Sequence, residues 1–381
     1  MSNTQKMLHK LLSANGAKWI NSGFNADTEV VKDFGDTTRE TDAILNSSAI
    51  LHCSHWGRLS ITGKDHLNFL QRMSTNDIES LENGRGIESV FTEAKGRVID
   101  LATFYHQAET TLCIVSPNSS KELCDWLSKY TFSEEMTITN IETQSEMIEL
   151  WGPETKDVIY STFNINIEKL SPHQLVNSPK IPRDTWFCIR PSAQYNGVRL
   201  IVKKEDVCYF WEQLLESGAI PAGETSKNSA RIELGIPAKP NELNKNHNPW
   251  EASLVSAVSL EKGCYIGQEI IARLEAYDKI KKTLRGVLFK GRTKPPLGAK
   301  LKAEGKYAGT ITSISSSNRA GIIALAYISK GYCQHGTKIF TELENIEGEI
   351  VTLPFTPTDI LKNGKRFSEA TETNQNDQPK N

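Results

Sequence analysis

The sequence predicts an α+β protein that ends in a small β-barrel or sandwich, and three observations carry that expectation. Up to about residue 282, strand-like and helix-like segments intermingle, and strands follow one another through hairpin-like turns. Strict strand–helix alternation, the mark of one doubly wound parallel sheet, is missing. From about Thr283 helical periodicity ceases, and short β-rich pieces are punctuated by glycine and proline. The composition, 38% hydrophobic and 24% charged over 381 residues, supplies enough apolar material for buried cores and excludes a disordered chain. At about 150 residues per domain, the length implies roughly two to three domains.

Taken in order, residues 1–46 are polar, with one short helical piece at Gln5–Ala14. Arg58–Gly63 alternates and reads as a strand. Asp65–Met73 places Leu67, Leu70 and Met73 on one helical face, with Asp65 as its cap. Glu88–Thr92 and Arg97–His106 read as strands joined by a turn at Glu93–Gly96, and Thr111–Val115 as another strand. Asn118–Tyr130 carries Leu123, Trp126, Leu127 and Tyr130 at helical spacing. Met136–Ile141 and Glu146–Leu150 are strand-like, and Pro153 suits a helix start. The middle repeats this grammar: strands at Thr185–Arg190 and Val198–Val202, then helices at Glu205–Gly218 and Thr225–Gly235. The barrel strands are expected at Leu284–Phe289, Lys300–Ala303, Ala308–Ile314, Ile322–Ile328 and Thr337–Thr341. After Asn363 no aliphatic side chain larger than alanine appears, which predicts a disordered tail.

Lys plus Arg is 44 and Asp plus Glu is 46, a net charge of −2, so a whole-chain grip on nucleic acid is not expected. The local run Lys279–Lys282 with Arg285 reads as a solvated basic face more often than as an RNA contact; a folate polyglutamate tail or an acidic partner would also suit it. Apolar runs such as Gly321–Ile328 are strand-sized, too short to span a bilayer. Met1–Gly16 lacks the apolar core of a signal peptide and the arginines of a transit peptide, so an intracellular chain, cytoplasmic or in an organelle stroma or matrix, is expected. Cysteines 53, 113, 124, 188, 208, 264 and 333 form no C-x-x-C pair and read as reduced thiols. His52, Cys53 and His55 cluster but lack a fourth ligand, so no metal site is expected there.

The most distinctive stretch is Lys262-Gly263-Cys264-Tyr265-Ile266-Gly267-Gln268-Glu269, followed by Ala272-Arg273. Gly263 would allow a tight turn that leaves the thiol accessible, and Lys262 and Arg273 would favour a thiolate. On chemistry alone Cys264 is a nucleophile, a metal ligand or a structural thiol. This octapeptide closely resembles the signature of the YgfZ-type folate-binding proteins. They belong to the larger family of the glycine-cleavage T-protein (aminomethyltransferase), which includes mitochondrial iron–sulfur assembly factors. Other segments resemble the family in the same order: Phe69-Leu70-Gln71 with Ser74-Thr75-Asn76-Asp77 and Leu81, Lys95-Gly96-Arg97 through Asp100, Trp151-Gly152-Pro153, Arg231 to Pro237, and Pro249-Trp250-Glu251-Ala252. The resemblance covers about residues 45–355. The first 45 residues resemble those of longer members from photosynthetic lineages.

The resemblance implies a GcvT-like α+β fold, a three-domain ring around a central folate pocket. Its expected parts are an N-terminal extension (1–45), a folate-binding region (46–282), a C-terminal β-barrel (283–360) and a tail (361–381). The folate-binding region comprises two subdomains, about 46–150 with 225–282, and 151–224. Tetrahydrofolate is the implied cofactor. Glu233 matches a glutamate that holds the pterin, whose donor pair one carboxylate can accept; otherwise it is an exposed helix charge. Arg231 would position that carboxylate or meet the folate tail. Asp100 matches an acid that lies by the reactive folate nitrogen and shuttles a proton; otherwise it faces water. Trp56 would stack on the ligand, or be an ordinary core tryptophan. Cys264 would take a redox or thiolate role, lending a sulfur when an iron–sulfur cluster is shared with an A-type scaffold partner that serves iron–sulfur client enzymes.

There are departures from the T-protein. Arg190–Gly197 replaces its glycine-rich R-T-G-Y-T-G-E-x-G loop, the Lys262–Glu269 signature replaces an arginine cluster, and the place of a second folate-associated tryptophan of some YgfZ proteins falls here near Lys227, so that contact does not carry over. The implied function is tetrahydrofolate binding in support of iron–sulfur enzymes. The alternatives are a folate-dependent one-carbon transferase and a folate-linked RNA-modification accessory protein.

Overall fold

The computed structural model describes residues 3–21, 29–182, 184–190, 197–317, 319–356 and 359. The tail expected after residue 360, and residues 191–196 of the loop that replaces the glycine-rich motif, lie outside the described residues. The chain divides into two compact units, Met1–Lys227 with Ser256–Gln268, and Asn228–Val255 with Glu269–Asn381.

The first unit opens with helix α1 (Asn3–Ala14), the hairpin β1 (Lys18–Asn21) and β2 (Glu29–Asp33), and helix α2 (Thr37–Asn46). Only one short helix was expected in this polar stretch. Its few apolar side chains nevertheless reach a core: Leu8 and Leu12 of α1 pack with Val31, Phe210 and Trp211. The start of α2 is fixed by Asp36, whose carboxylate accepts from the backbone amides of Thr38 and Arg39.

Two five-stranded sheets follow. The first orders β10 (Trp186–Arg190), β11 (Gly197–Lys203), β9 (Ser145–Trp151), β3 (Ala49–His52) and β12 (Ile220–Ala222), with only β12 running parallel to its neighbour. Helices α5 (Thr155–Phe163) and α6 (Val207–Glu216) contribute Val158, Ile159, Phe210 and Leu214 to the same core. The central strand β9 is buried at every residue, which makes any charge on it a matter for specific partners. Strands β3 and β12, of four and three residues, are too short to show alternation.

The second sheet orders β5 (Arg85–Thr92), β6 (Val98–Gln107), β7 (Thr110–Pro117), β4 (Trp56–Thr62) and β8 (Thr137–Asn140). Helices α3 (His66–Met73) and α4 (Ser120–Leu127) bring Phe69, Leu70, Met73, Leu123 and Leu127 to its core. The helix at 65–73 is where the apolar spacing predicts it, but Asp65 does not cap it; that carboxylate accepts instead from the amide of Glu135. Pro153 likewise precedes α5 by two residues, with Glu154 between.

Helix α7 (Glu224–Glu233) carries the chain into the second unit, where α8 (Gln268–Ala276) precedes a closed antiparallel barrel. Around the ring the strands are β13 (Lys282–Phe289), β16 (Gly321–Ser329), β15 (Lys306–Ser317), β14 (Lys300–Ala303), β17 (Lys338–Thr341) and β18 (Glu347–Val351), which returns to β13. The sequence pattern gives five of these. The sixth, β18, is masked by Glu347-Gly348-Glu349, where a Cβ on Gly348 would lie 3.0 Å from the Phe289 ring. Val287, Phe289, Leu301, Ile311, Ile339 and Ile350 fill the barrel. No helix among the described residues is long and apolar enough to cross a membrane.

Candidate functional site

Asp100 sits on β6 between Ile99 and Leu101, and its side chain is buried, 1% exposed. The alternative that it faces water is therefore set aside. Its Oδ1 accepts from the Ser116 hydroxyl at 2.5 Å and from the amide of Leu101 at 2.9 Å; its Oδ2 accepts from the amide of Ser116 at 3.2 Å. A carboxylate so tied to the neighbouring strand β7 has a fixed orientation.

A second buried carboxylate, which the sequence reading did not single out, lies on β9. Glu149 is directly across from Arg199 of β11. Arg199 donates to Oε1 at 2.7 Å, while Oε2 accepts from Lys227 at 3.1 Å and from the Trp151 indole at 3.0 Å. Burial alone would push the Glu149 pKa up, but Lys227, Arg199 and Arg190 outweigh it and hold the group well below the usual carboxylate range. Lys227 also donates to the Cys53 sulfur at 3.0 Å. Burial pushes that thiol up, so Cys53 is a neutral thiol. A signal was present: Glu149 and Arg199 are opposite charges, each flanked by aliphatic residues in a strand-like run.

Trp56, half-buried at the start of β4, faces this cluster. Lys227 Nζ lies 4.8 Å and the Arg199 guanidinium 5.7 Å from its ring centre. The neighbouring His52, Cys53 and His55 do not converge. His52 meets Glu146 at 3.1 Å, Cys53 meets Lys227, and His55 meets Glu224 at 3.3 Å. Among the described residues no group of three or more acidic, cysteine or histidine side chains could hold a metal ion.

The Lys262–Glu269 signature folds back on the loop after α3. Lys262 donates to the backbone carbonyls of Gln71, Ser74 and Asn76, at 2.6, 2.8 and 2.5 Å. The three bonds use all three ammonium protons. Burial pushes its pKa down to about 7, against the pull of Asp77 and Glu79. Lys262 is therefore a clasp, not the expected activator of Cys264. Thr75 donates to Ala257 O, and Asn76 to Ser256 O and Glu88 O, so the Ser74–Asp77 motif is the hub. Gly267, at φ +88°, lies against the Glu93–Gly96 turn, where a Cβ would sit 2.7 Å from the Glu93 carbonyl. That is the tight turn expected of Gly263, which has a negative φ and open space at its Cβ. Cys264 is exposed. Tyr265 is buried, and its hydroxyl has no partner among the described residues.

In the second unit Glu233 is 2% exposed, which removes the reading of an exposed helix charge. One oxygen pairs with Arg319; the other, Oε2, is buried with no partner among the described residues. Burial raises its pKa, with Arg319 opposing. Arg231 does not serve Glu233 as expected. It donates to Glu242 at 3.1 Å, Ile236 O at 3.0 Å, Ser313 at 2.8 Å and Asn228 at 2.9 Å. Trp56, Asp100 and Cys264 thus belong to the first unit, and Arg231 and Glu233 to the second. The basic residues at 282 and 285 are partly spent on backbone carbonyls, Lys282 on Asn246 and Arg285 on Cys333.

Comparison with known proteins gives a consistent picture. Residues 8–262 match the family described as the GCVT N-terminal domain. A chloroplastic protein of Arabidopsis thaliana, assigned provisionally to the transferases, is 31% identical over 341 residues, covering 88% of this chain and 78% of that protein. An aminomethyltransferase of Chloroherpeton thalassium is 25% identical over 358 residues, covering 91% and 97%. The crystal structure of the glycine cleavage system aminomethyltransferase T from Bartonella henselae superposes with a TM-score of 0.82 at 21% identity, covering 92% of this chain and 97% of that one. The last establishes a GcvT-like fold.

Proposed function

The chain belongs to the family of the GCVT N-terminal domain, and from that premise we propose that it binds tetrahydrofolate and handles a one-carbon unit carried on it. The observation that supports this most is Asp100, a buried carboxylate oriented by Ser116. When bound, tetrahydrofolate supplies the nitrogen that carries the one-carbon unit. The residues present suit such a ligand: Glu233 Oε2 is a buried acceptor with no partner among the described residues, matched to the donor pair of a pterin. In this reading Glu233 holds the pterin, and Arg231 fixes the backbone around it by binding Ile236 and Glu242. Asp100 takes up and returns a proton on its carboxylate.

A second reading, support of iron–sulfur enzymes through an A-type scaffold, is favoured by one feature, the exposed thiol of Cys264 in its signature loop. There the folate would be bound without turnover, and Cys264 would lend a sulfur to a shared cluster. Residence in an organelle stroma is supported by the name of the plant relative.

Anaerobic calorimetric titration of tetrahydrofolate into the wild type, Glu233→Ala and Asp100→Asn tests the reading. Saturable wild-type binding that weakens by roughly 2–4 kcal/mol in Glu233→Ala is expected, with little change in Asp100→Asn. Asp100→Asn should instead abolish methylene-tetrahydrofolate formation in a glycine-cleavage assay with a lipoylated carrier. Absence of wild-type binding would contradict the reading. Binding without any wild-type turnover would favour the second.

A further inference from the structure

Arg190, the last residue of β10, differs from every other cation in the first unit's buried cluster. Its guanidinium carbon lies over the Trp151 indole, 3.8 Å from the ring centre. The side chain is 14% exposed. Yet no hydrogen bond holds that guanidinium among the described residues. The carboxylate nearest to it, Glu149, is 3.9 Å away. Glu149 cannot come closer, because Arg199, Lys227 and the Trp151 N–H already take its two oxygens.

The charge count points the same way. Three cations, Arg190, Arg199 and Lys227, surround one fully buried carboxylate. Glu224 stands at the edge, 28% exposed, 3.9 Å from Lys227 and 3.3 Å from His55. Glu88 feels both arginines, but burial pushes it toward the neutral acid, and it makes no ion pair with either among the described residues. An arginine taken out of water with no acceptor is costly unless something else supplies the acceptor. His173 adds a second signal. Its Nδ1 is buried without a partner among the described residues, and its pKa is pushed down to about 4 by burial and by Arg199 and Arg190. At neutral pH it is a neutral imidazole beside the two arginines. Trp151 is clamped through its N–H to Glu149, so the shelf under Arg190 is rigid.

We infer that Arg190, stacked on Trp151, is the anchor for a carboxylate group of the ligand. A guanidinium seated over an aromatic ring, with no hydrogen bond spent among the described residues, suits bidentate recognition of a planar carboxylate. The carboxylate has two chemical sources: the glutamyl arm of a folate, or a small amino acid that donates the one-carbon unit. Both rest on the proposed function, the first on its folate and the second on its one-carbon chemistry.

The test is calorimetric titration of the full chain and its Arg190→Met and Arg190→Lys variants. The probes are 5-formyltetrahydrofolate, p-aminobenzoylglutamate (arm only), tetrahydrobiopterin (a pterin without a carboxylate) and sarcosine. Methionine keeps the apolar stem over Trp151, and circular dichroism confirms folding. A loss of roughly thirtyfold in affinity for a carboxylate-bearing probe in Arg190→Met, with a smaller loss in Arg190→Lys, is expected. Where tetrahydrobiopterin binds, its affinity should be unchanged. Loss confined to the first two probes assigns the anchor to the folate arm; loss confined to sarcosine assigns it to an amino acid, and would support the anchor even if no folate bound. Equal affinity of wild type and Arg190→Met for every carboxylate probe that binds, or no binding of any carboxylate probe, would overturn the inference. The first of these results would leave the folate reading standing.

Discussion

Two arginines, one in each unit, meet opposite fates. Arg231 lies in a polar pocket of the second unit, where Glu242, Ser313, Asn228 and the Ile236 carbonyl take its donors. Arg190 lies in the first unit beside a carboxylate that is already saturated, with an indole beneath it and no hydrogen bond of its own among the described residues. A buried guanidinium whose donors are spent on the protein builds the fold. One whose donors are kept free costs stability and is held for something else. The sequence motif pointed to Arg231 as the ligand-facing arginine, and the hydrogen bonds point to Arg190.

That contrast can be broken most sharply by stability. Arg231→Met strands Glu242, a fully buried carboxylate, and should cost about 3–5 kcal/mol in urea denaturation. A cost below about 1 kcal/mol would mean that Arg231 is not the structural partner its bonds suggest. Acid comes next. His55 and His173 have folded pKa values lowered from 6.5 to about 4, chiefly by burial, so the unfolded chain binds more protons between those values. Stability contributed by the neutral rings is complete above pH 6.5 and is lost as pH falls toward 4, on the order of 3 kcal/mol for the more buried His55. A melting temperature that is flat from pH 7 to 4.5, with a His55→Gln variant indistinguishable from wild type, would argue against this.

Smaller effects sharpen the picture. Lys262→Met leaves three carbonyls without their shared donor and should cost about 2–3 kcal/mol. It should also speed hydrogen exchange in residues 71–78; unchanged exchange there would show that the clasp does not hold the loop. Smallest of all, Arg190→Met removes one cation–aromatic contact and no hydrogen bond, and relieves a guanidinium without an acceptor, so stability should stay within about 1 kcal/mol of wild type in either direction. A loss of 3 kcal/mol would place Arg190 with Arg231 as a structural residue and erase the contrast.

Much of the architecture was legible because it rests on periodicity. The Leu67–Leu70–Met73 spacing gave α3, and the aliphatic run at 322–328 gave the barrel strand β16. The site was legible where a charge interrupts an apolar strand, as Asp100 does, and where motifs resemble a known family. Strands β3, β12 and β18 were not: β3 and β12 are pieces of four and three residues, and Glu347-Gly348-Glu349 interrupts the pattern of β18. The role of Lys262 was also hidden: proximity to Cys264 in sequence suggested an electrostatic partner, while its ammonium points to a loop 186–191 residues earlier in the chain. Arg190 could not be singled out at all, because its distinction is the absence of a bond.

The central claim is that this chain binds tetrahydrofolate. Native mass spectrometry of the anaerobically purified protein tests it most directly. The account predicts one tetrahydrofolate retained per chain, or taken up on addition, and displaced by excess 5-formyltetrahydrofolate. A chain that stays ligand-free at millimolar tetrahydrofolate, while a bona fide aminomethyltransferase in the same buffer takes it up, would contradict the account.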